Sequence, residues 1–256
     1  MDKEYQKIKS ILGLSFQSAK ANLKLRNEGS YLGFFWYLLN PLLIFILLLL
    51  VFSTRLGNEI PYYSLYLLLG IIMFSFFEKI TTLSIKIMDD YRLIIKSINF
   101  PRESLIISNV LTILFTHIFE IIVFFVIAVF LGISIKTFIF YILILFIFSL
   151  FIYGVSLILA SLYVYFADLE NIWYFFSRLL FFITPIFYTI QGQNRLFLVN
   201  LFNPLYYYIT LARDVLIYNK TPDLWLIAGA LIYSLLFFIL GSIVFNKLKI
   251  KFAELV

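Results

Sequence analysis

The chain of 256 residues contains no cysteine and a single histidine, His117. The lack of cysteine excludes disulfide bonds, thiolate zinc clusters and thiol nucleophiles, and a lone histidine excludes metal motifs built on two histidines. Charged residues are also scarce, at 13% of the chain, where a soluble domain has about 25%. We therefore expect no metal site, and the composition points away from a soluble domain.

An ATP-binding loop is missing as well. The pattern G-x-x-x-x-G-K-[ST] does not occur, and no glycine in the chain is followed by lysine. If the protein takes part in active transport, a separate subunit must bind ATP and magnesium and carry out hydrolysis. We therefore expect neither a catalytic residue nor a cofactor in this chain.

Hydrophobic residues are abundant instead, at 63% of the chain. A transmembrane helix needs roughly 20 apolar residues to cross about 30 Å of hydrocarbon. Six runs meet this requirement: 34–53, 61–82, 104–131, 137–166, 172–190 and 223–245. We predict an all-α polytopic membrane protein with six transmembrane helices in a single domain, 1–256.

Lysine and arginine are distributed unevenly between the segments that connect these runs. With both termini placed inside, the inner segments carry thirteen of these residues and the outer segments carry five. Positive residues collect on the cytoplasmic side of membrane proteins. The sequence therefore predicts a multi-pass protein with both termini in the cytoplasm.

The N-terminal segment 1–33 has the pattern of an amphipathic helix. Over 5–25, apolar residues recur at helical spacing, and most of the lysines lie away from that stripe. The apolar positions are Ile8, Ile11, Leu12, Phe16, Ala19 and Leu23. We predict a helix that lies in the cytoplasmic membrane interface. A soluble helix packed on the protein is the alternative.

Two further segments do not fit a plain bundle. Segment 86–103 is charged yet carries the apolar cluster Leu93-Ile94-Ile95. This cluster favours a protein-binding surface over an ordinary polar loop. Asp89 or Asp90 is expected to cap a short helix in the same segment. Segment 191–222 has two apolar pieces, each too short to span, broken at Asn203-Pro204. This pattern predicts a re-entrant or interfacial helical hairpin on the outer side.

Polar residues inside the predicted spans are candidate functional residues, because they are costly in hydrocarbon. In the third span a face with Ser108, Thr112, Thr116 and Glu120 has His117 beside it. A helix-packing seam and a transport pathway both explain this face. Arg178 lies with aromatic residues on one face of the fifth span, and either lines a pathway or snorkels to the interface.

Four motifs in order resemble the ABC-type polysaccharide export permeases. They are Arg26, Ser30, Leu32-Gly33, Trp36 and Asn40-Pro41; Phe100-Pro101-Arg102-Glu103; Thr184-Pro185-Ile186-Phe187-Tyr188; and Asn203-Pro204-Leu205 with Arg213-Asp214. The resemblance covers nearly the whole chain. It implies a homodimer with two ATPase subunits in the bacterial inner membrane, surrounded by membrane lipid and without a nucleic-acid partner. The implied substrate is a lipid-linked O-antigen, capsule or teichoic-acid chain.

With this resemblance, three sets of site residues are predicted. The ATPase-coupling residues are Asp89, Asp90, Tyr91, Arg92, Leu93, Ile94, Ile95 and Lys96. The channel-lining residues are Tyr37, Asn40, Tyr174, Arg178, Phe181 and Tyr188, whose aromatic rings would stack on a sliding sugar polymer. The outer-gate residues of hairpin 191–222 are Asn203, Pro204, Tyr206 and Arg213.

Two other functions stay open at this point. The first is a permease of the same fold that exports a drug or a lipid; purely apolar faces on the first and fifth spans would argue for a drug, whereas aromatic, hydroxyl-rich faces argue for a sugar. A membrane enzyme acting on lipid-linked sugars would place acidic or histidine groups in a sizeable loop, whereas the outer hairpin offers only Arg195, Arg213 and Asp214.

Overall fold

The computed structural model describes residues 2–27, 35–57, 59–98, 100–134, 137–190 and 193–252. Within these ranges the regular structure is entirely helical, which confirms the all-α fold class. The helices are α1 Asp2–Asn27, α2 Phe35–Leu56, α3 Tyr63–Ile85, α4 Ile87–Asp90, α5 Arg92–Ser97, α6 Glu103–Phe130, α7 Phe138–Tyr163, α8 Leu169–Ile183, α9 Asn194–Leu201, α10 Pro204–Leu216 and α11 Leu224–Leu248. Residues 28–33 of the N-terminal motif and 191–192 of the hairpin lie outside the described residues.

Five of the described helices are long and apolar enough to cross a membrane: α2, α3, α6, α7 and α11. They coincide with the first four predicted spans and the last one, so the protein is a multi-pass membrane protein. The fifth predicted span, 172–190, overlaps α8, which has 15 residues and a length of about 22 Å. The chain leaves the helix at Thr184, whose backbone is extended before Pro185. The count of six spans therefore stays a prediction.

Helix α3 forms the centre of the bundle. It contacts α2, α6, α7, α8 and α10, and its residues are buried on all sides, including Leu65, Leu67 and Leu68. A helix that is apolar around its whole circumference is typical of such a central position. Helix α11 packs closely on α7, because Gly154 and Gly241 bring the two backbones together without side chains between them.

Helices α9 and α10 form the helical hairpin that the sequence predicts. The Asn203 side chain accepts a hydrogen bond from the Leu205 N–H and so caps α10, with Pro204 in its first turn. Midway along α10, the Tyr208 hydroxyl donates to the carbonyl oxygen of Ala230 at 2.9 Å. Near the end of α10, the Thr137 hydroxyl donates to the Val215 carbonyl at 2.7 Å. Helix α10 therefore runs from inside the bundle to the end at which α7 begins.

Helix α1 crosses the first turns of α6. Its small residues Ser15 and Ala19 are buried, whereas Leu12 and Phe16 face out of the protein. Within the predicted apolar stripe, Ala19 thus packs inward, whereas Leu12 and Phe16 are exposed. The side chain of Ile8 lies outside the described residues.

Candidate functional site

The main candidate site is a cavity of about 420 Å³ between α2, α3 and α8. It combines charged, amide and aromatic side chains within helices that are otherwise apolar. Its lining residues are Asn40, Pro41, Ile44, Ile71, Phe74, Ser75, Glu78, Lys79, Arg178, Phe181 and Phe182. We call it the α2–α3–α8 cavity.

The structure brings three predicted channel-lining residues, Asn40, Arg178 and Phe181, to this cavity. Tyr174 lies beside it, since the Arg178 guanidinium sits 4.4 Å above the Tyr174 ring and donates a hydrogen bond to its hydroxyl. Tyr188 is placed differently: its hydroxyl donates to the carbonyl oxygens at the end of α8. The side chain of Tyr37 lies outside the described residues.

Lys79 is a cavity residue that sequence reasoning missed. Its Nζ lies 2.6 Å from Glu120 Oε1, and Glu120 Oε2 lies 3.2 Å from His117 Nδ1. His117 Nε2 in turn lies 2.6 Å from the Tyr141 hydroxyl. We call Lys79, Glu120, His117 and Tyr141 the buried ionic chain. One signal for it was in the sequence: a lysine and a glutamate of opposite charge, each inside an apolar run.

The other polar residues of the Glu120 face have local partners. The hydroxyls of Ser108, Thr112 and Thr116 each donate to a carbonyl oxygen three or four residues earlier in α6. All three residues are buried. Back-bonded hydroxyls of this kind satisfy themselves within a helix, which favours packing for this part of the face.

Helix α8 is attached to α3 by contacts that run from one end of the bundle to the cavity. Lys86 and Glu170 form an ion pair at 2.7 Å, and the Trp173 indole N–H donates to the Thr81 hydroxyl. Further along, the Ser177 hydroxyl donates to Glu78, which lines the cavity. Because the hydrogen-bonded Glu170 carboxylate favours the ammonium form, it raises the pKa of Lys86. These contacts connect the Lys86 end of α3 to the cavity along α8.

The predicted coupling segment consists of the short helices α4 and α5. Leu93 is 81% exposed, and Ile94 and Ile98 also face outward. Ile95, predicted among the contact residues, is only 4% exposed and packs in an internal cluster with Met88 and Leu105. Successive helical residues point about 100° apart, so three consecutive apolar residues cannot share one face.

The acidic residues of this segment do not act as predicted. Asp89 and Asp90 lie within α4, and α5 begins after Tyr91 without a side-chain cap. The Tyr91 hydroxyl instead donates to Asn22 of α1 at 2.8 Å, which ties the segment to the N-terminal helix. Partial burial and the neighbouring Asp89 carboxylate raise the pKa of Asp90.

The predicted outer-gate residues hold the hairpin in place in this structure. Arg213 is buried, and its guanidinium donates to the carbonyl oxygens of Tyr66, Pro185 and Ile186 at 2.7–3.2 Å. The Asn203 amide donates to the Thr184 hydroxyl at 2.8 Å, and Tyr206 is buried beside Trp225.

Across the described residues, no group of three acidic or histidine side chains is close enough to hold a metal ion.

Comparison with known proteins shows one consistent family. The family of ABC-2 type transporters matches residues 15–217. The chain is 30% identical over 237 residues to two proteins from Klebsiella pneumoniae named O-antigen export system permease protein RfbA, covering 91% of this chain and 91% of each relative. It is 26% identical over 249 residues to a protein of the same name from Myxococcus xanthus, covering 94% and 95%. The similarity includes both the cavity and the coupling segment.

Proposed function

The chain belongs to the ABC-2 type transporter family, and we propose that it is the transmembrane subunit of an exporter for a lipid-linked polysaccharide of the O-antigen kind. The relatives named as O-antigen export permeases match it almost end to end. The observation that carries the proposal is the α2–α3–α8 cavity, in which amide, charged and aromatic groups lie together between helices that are otherwise apolar. The exporter acts in the bacterial inner membrane, with both termini of this chain in the cytoplasm.

Energy for export comes from a separate ATPase subunit. The chain has no phosphate-binding loop of the Walker type. Its α4–α5 segment presents Leu93, Ile94 and Ile98 outward at the end of the bundle that also carries Lys86. Exposed aliphatic side chains with charged neighbours are typical of a protein-binding patch. Two ATPase copies would dock on these segments of two permease copies.

The polymer would pass along the polar and aromatic faces of α2 and α8. Aromatic rings stack on sugars without fixing one geometry, so a chain with many hydroxyls can slide past them. Transport needs sites that bind favourably and also release easily. A second copy of the chain would complete the path around a twofold axis. The polar lining distinguishes this cavity from the purely apolar one expected for a drug exporter.

The proposal is tested by deleting the gene for this chain in its own host. We expect surface polysaccharide to be lost and its lipid-linked form to accumulate on the cytoplasmic side. Re-expression should restore the surface polymer, and the restored protein should co-purify with a soluble ATPase. Normal surface polysaccharide in the deletion strain would contradict the proposed substrate class.

A further inference from the structure

Two cationic side chains enter the α2–α3–α8 cavity from different helices. Lys79 lies six residues before the end of α3, and Arg178 lies nine residues after the start of α8. At 1.5 Å per residue, these positions are about 9 Å and about 14 Å along their helices from the end that carries Lys86. Cations at such a depth are costly in hydrocarbon and commonly mark a substrate path.

The cavity opens between α2 and α8, whose outward faces are apolar. Ile44 and Phe182 line the cavity and are also exposed at the surface of the protein. A ligand with a polar head and a hydrocarbon tail can therefore place its head among the cations and leave its tail in the bilayer. A ligand without a tail would gain nothing from this opening.

Glu120 supplies the counter-charge to Lys79 and is held from a second side. A carboxylate only accepts hydrogen bonds, so His117 Nδ1 carries the proton that points to Glu120 Oε2. On the other side of the ring, His117 Nε2 lies 2.6 Å from the Tyr141 hydroxyl. If Lys79 turns away, Glu120 keeps its bond to His117, and no buried carboxylate is stranded without a partner.

We propose that the cavity binds the phosphoryl group at the head of a lipid-linked substrate, with Lys79 and Arg178 contacting its oxygens. Arginine and lysine are the usual phosphate-binding side chains, one as a planar fork and one as a compact charge. Lys79 exchanges Glu120 for the phosphoryl group, while His117 and Tyr141 hold Glu120 back. This proposed phosphoryl site rests on the proposed function, because the phosphoryl group is that of the lipid carrier to which the polymer is attached.

The test uses the permease–ATPase complex in nanodiscs of zwitterionic phosphatidylcholine and isothermal titration calorimetry. Three probes separate the sources of binding: farnesyl diphosphate has head and tail, farnesol has the tail alone, and inorganic diphosphate has the head alone. We expect farnesyl diphosphate to bind at least about tenfold more tightly than either of the others.

Variants assign the binding to the two cations. Lys79→Gln and Arg178→Gln should each weaken farnesyl diphosphate binding by about tenfold or more, since each removes a charge-assisted contact. Lys79→Arg should stay within about threefold of the parent, and Arg55→Gln, an equal charge change at the other end of α2, should have no effect. Lys79→Gln leaves the Glu120 carboxylate without its cation, which can destabilise the protein. The double variant Lys79→Gln/Glu120→Gln therefore replaces the ion pair with a neutral pair. We expect this double variant to fold and to lose farnesyl diphosphate binding.

Glu120→Gln separates ligand competition from packing. Without the competing carboxylate, the ligand no longer has to displace Glu120 from Lys79, and farnesyl diphosphate should bind several-fold more tightly. Equal or weaker binding in this variant would overturn the exchange. Unchanged binding in the double variant, or equal binding of inorganic diphosphate or farnesol, would overturn the site.

Polysaccharide export in cells is measured for the same variants. This measurement distinguishes a failure of the proposed phosphoryl site from a failure of the proposed function. If the parent exports polymer but probe binding ignores Lys79 and Arg178, the site is wrong and the function stands. If the parent binds farnesyl diphosphate through these residues but its host shows no polymer export, the function is wrong and the site stands.

Discussion

At the scale of single residues, Arg213 shows how one buried side chain can fix a membrane hairpin. Its guanidinium bridges the start of α3 and the turn after α8, and it also lies 3.4 Å above the Tyr66 ring. Gly70 provides the space for it, since a Cβ at this position would meet Arg213 Nη2 and Ile186. A buried charge with its hydrogen bonds satisfied is stable in such a place, whereas one that has lost them is costly.

Gly70→Ala should therefore destabilise the protein. The added methyl group displaces the Arg213 guanidinium from its carbonyl acceptors, at a cost of about 1–3 kcal/mol by analogy with overpacked cores. The measurement is the thermal midpoint in detergent. Gly13→Ala is the matched control, because a Cβ there has open space and an alanine in a helix is neutral or slightly stabilising. An equal midpoint for the parent and Gly70→Ala would show that Arg213 has room to relax.

At this scale the sequence indicates which types of residue are candidates, but not the direction in which each side chain points. It predicted Asn40, Arg178 and Phe181 as channel-lining residues, and the structure brings them to one cavity. It missed Lys79 because the pairing with Glu120 joins α3 to α6, and no local pattern reports such a contact. It did not indicate that Ile95 points inward, because the phase of a helix six residues long depends on which turn packs inward.

At the scale of elements, α5 is the part that meets the ATPase in this account. Replacing Leu93 and Ile94 with Asp should reduce polymer export at least about tenfold, because two apolar contacts become buried charges at the interface. ATP hydrolysis by the co-purified ATPase, measured beside export, shows whether the two become uncoupled. Ile250→Asp is the control, since Ile250 is also apolar and highly exposed and lies after the end of α11. Unchanged assembly and export in the double variant would remove α5 from the interface.

The hairpin α9–α10 is the element expected to move during export. Tyr206 is buried in this structure, so Tyr206→Cys should react slowly with a membrane-impermeant maleimide at rest and faster while polymer is moving. The chain has no cysteine of its own, so the signal has no background. Leu224→Cys, at an exposed position at the start of α11, should react from outside in both conditions. Labelling of either site only from the cytoplasm would contradict the orientation.

At the scale of the whole molecule, length and composition were sufficient for the class of protein and for five long helices. They were insufficient for the fifth predicted span, since the apolar run 172–190 continues through Pro185, where the helix has already ended. Hydropathy measures transfer into lipid and does not register a backbone that leaves the helix beside a proline. The same limit applies to α1, in which Ala19 of the predicted apolar stripe is buried while Leu12 and Phe16 of that stripe are exposed.

The central claim is that a polymer passes through the α2–α3–α8 cavity, and site-specific photo-crosslinking tests it most directly. A benzoyl-phenylalanine replaces Phe181 in the cavity wall or, as control, Ile232 on the exposed face of α11. Illumination of exporting cells should give a polysaccharide-positive adduct of the permease from position 181 alone, and the adduct should vanish when the ATPase is inactivated. No adduct at 181, or equal adducts from both positions, would contradict the account.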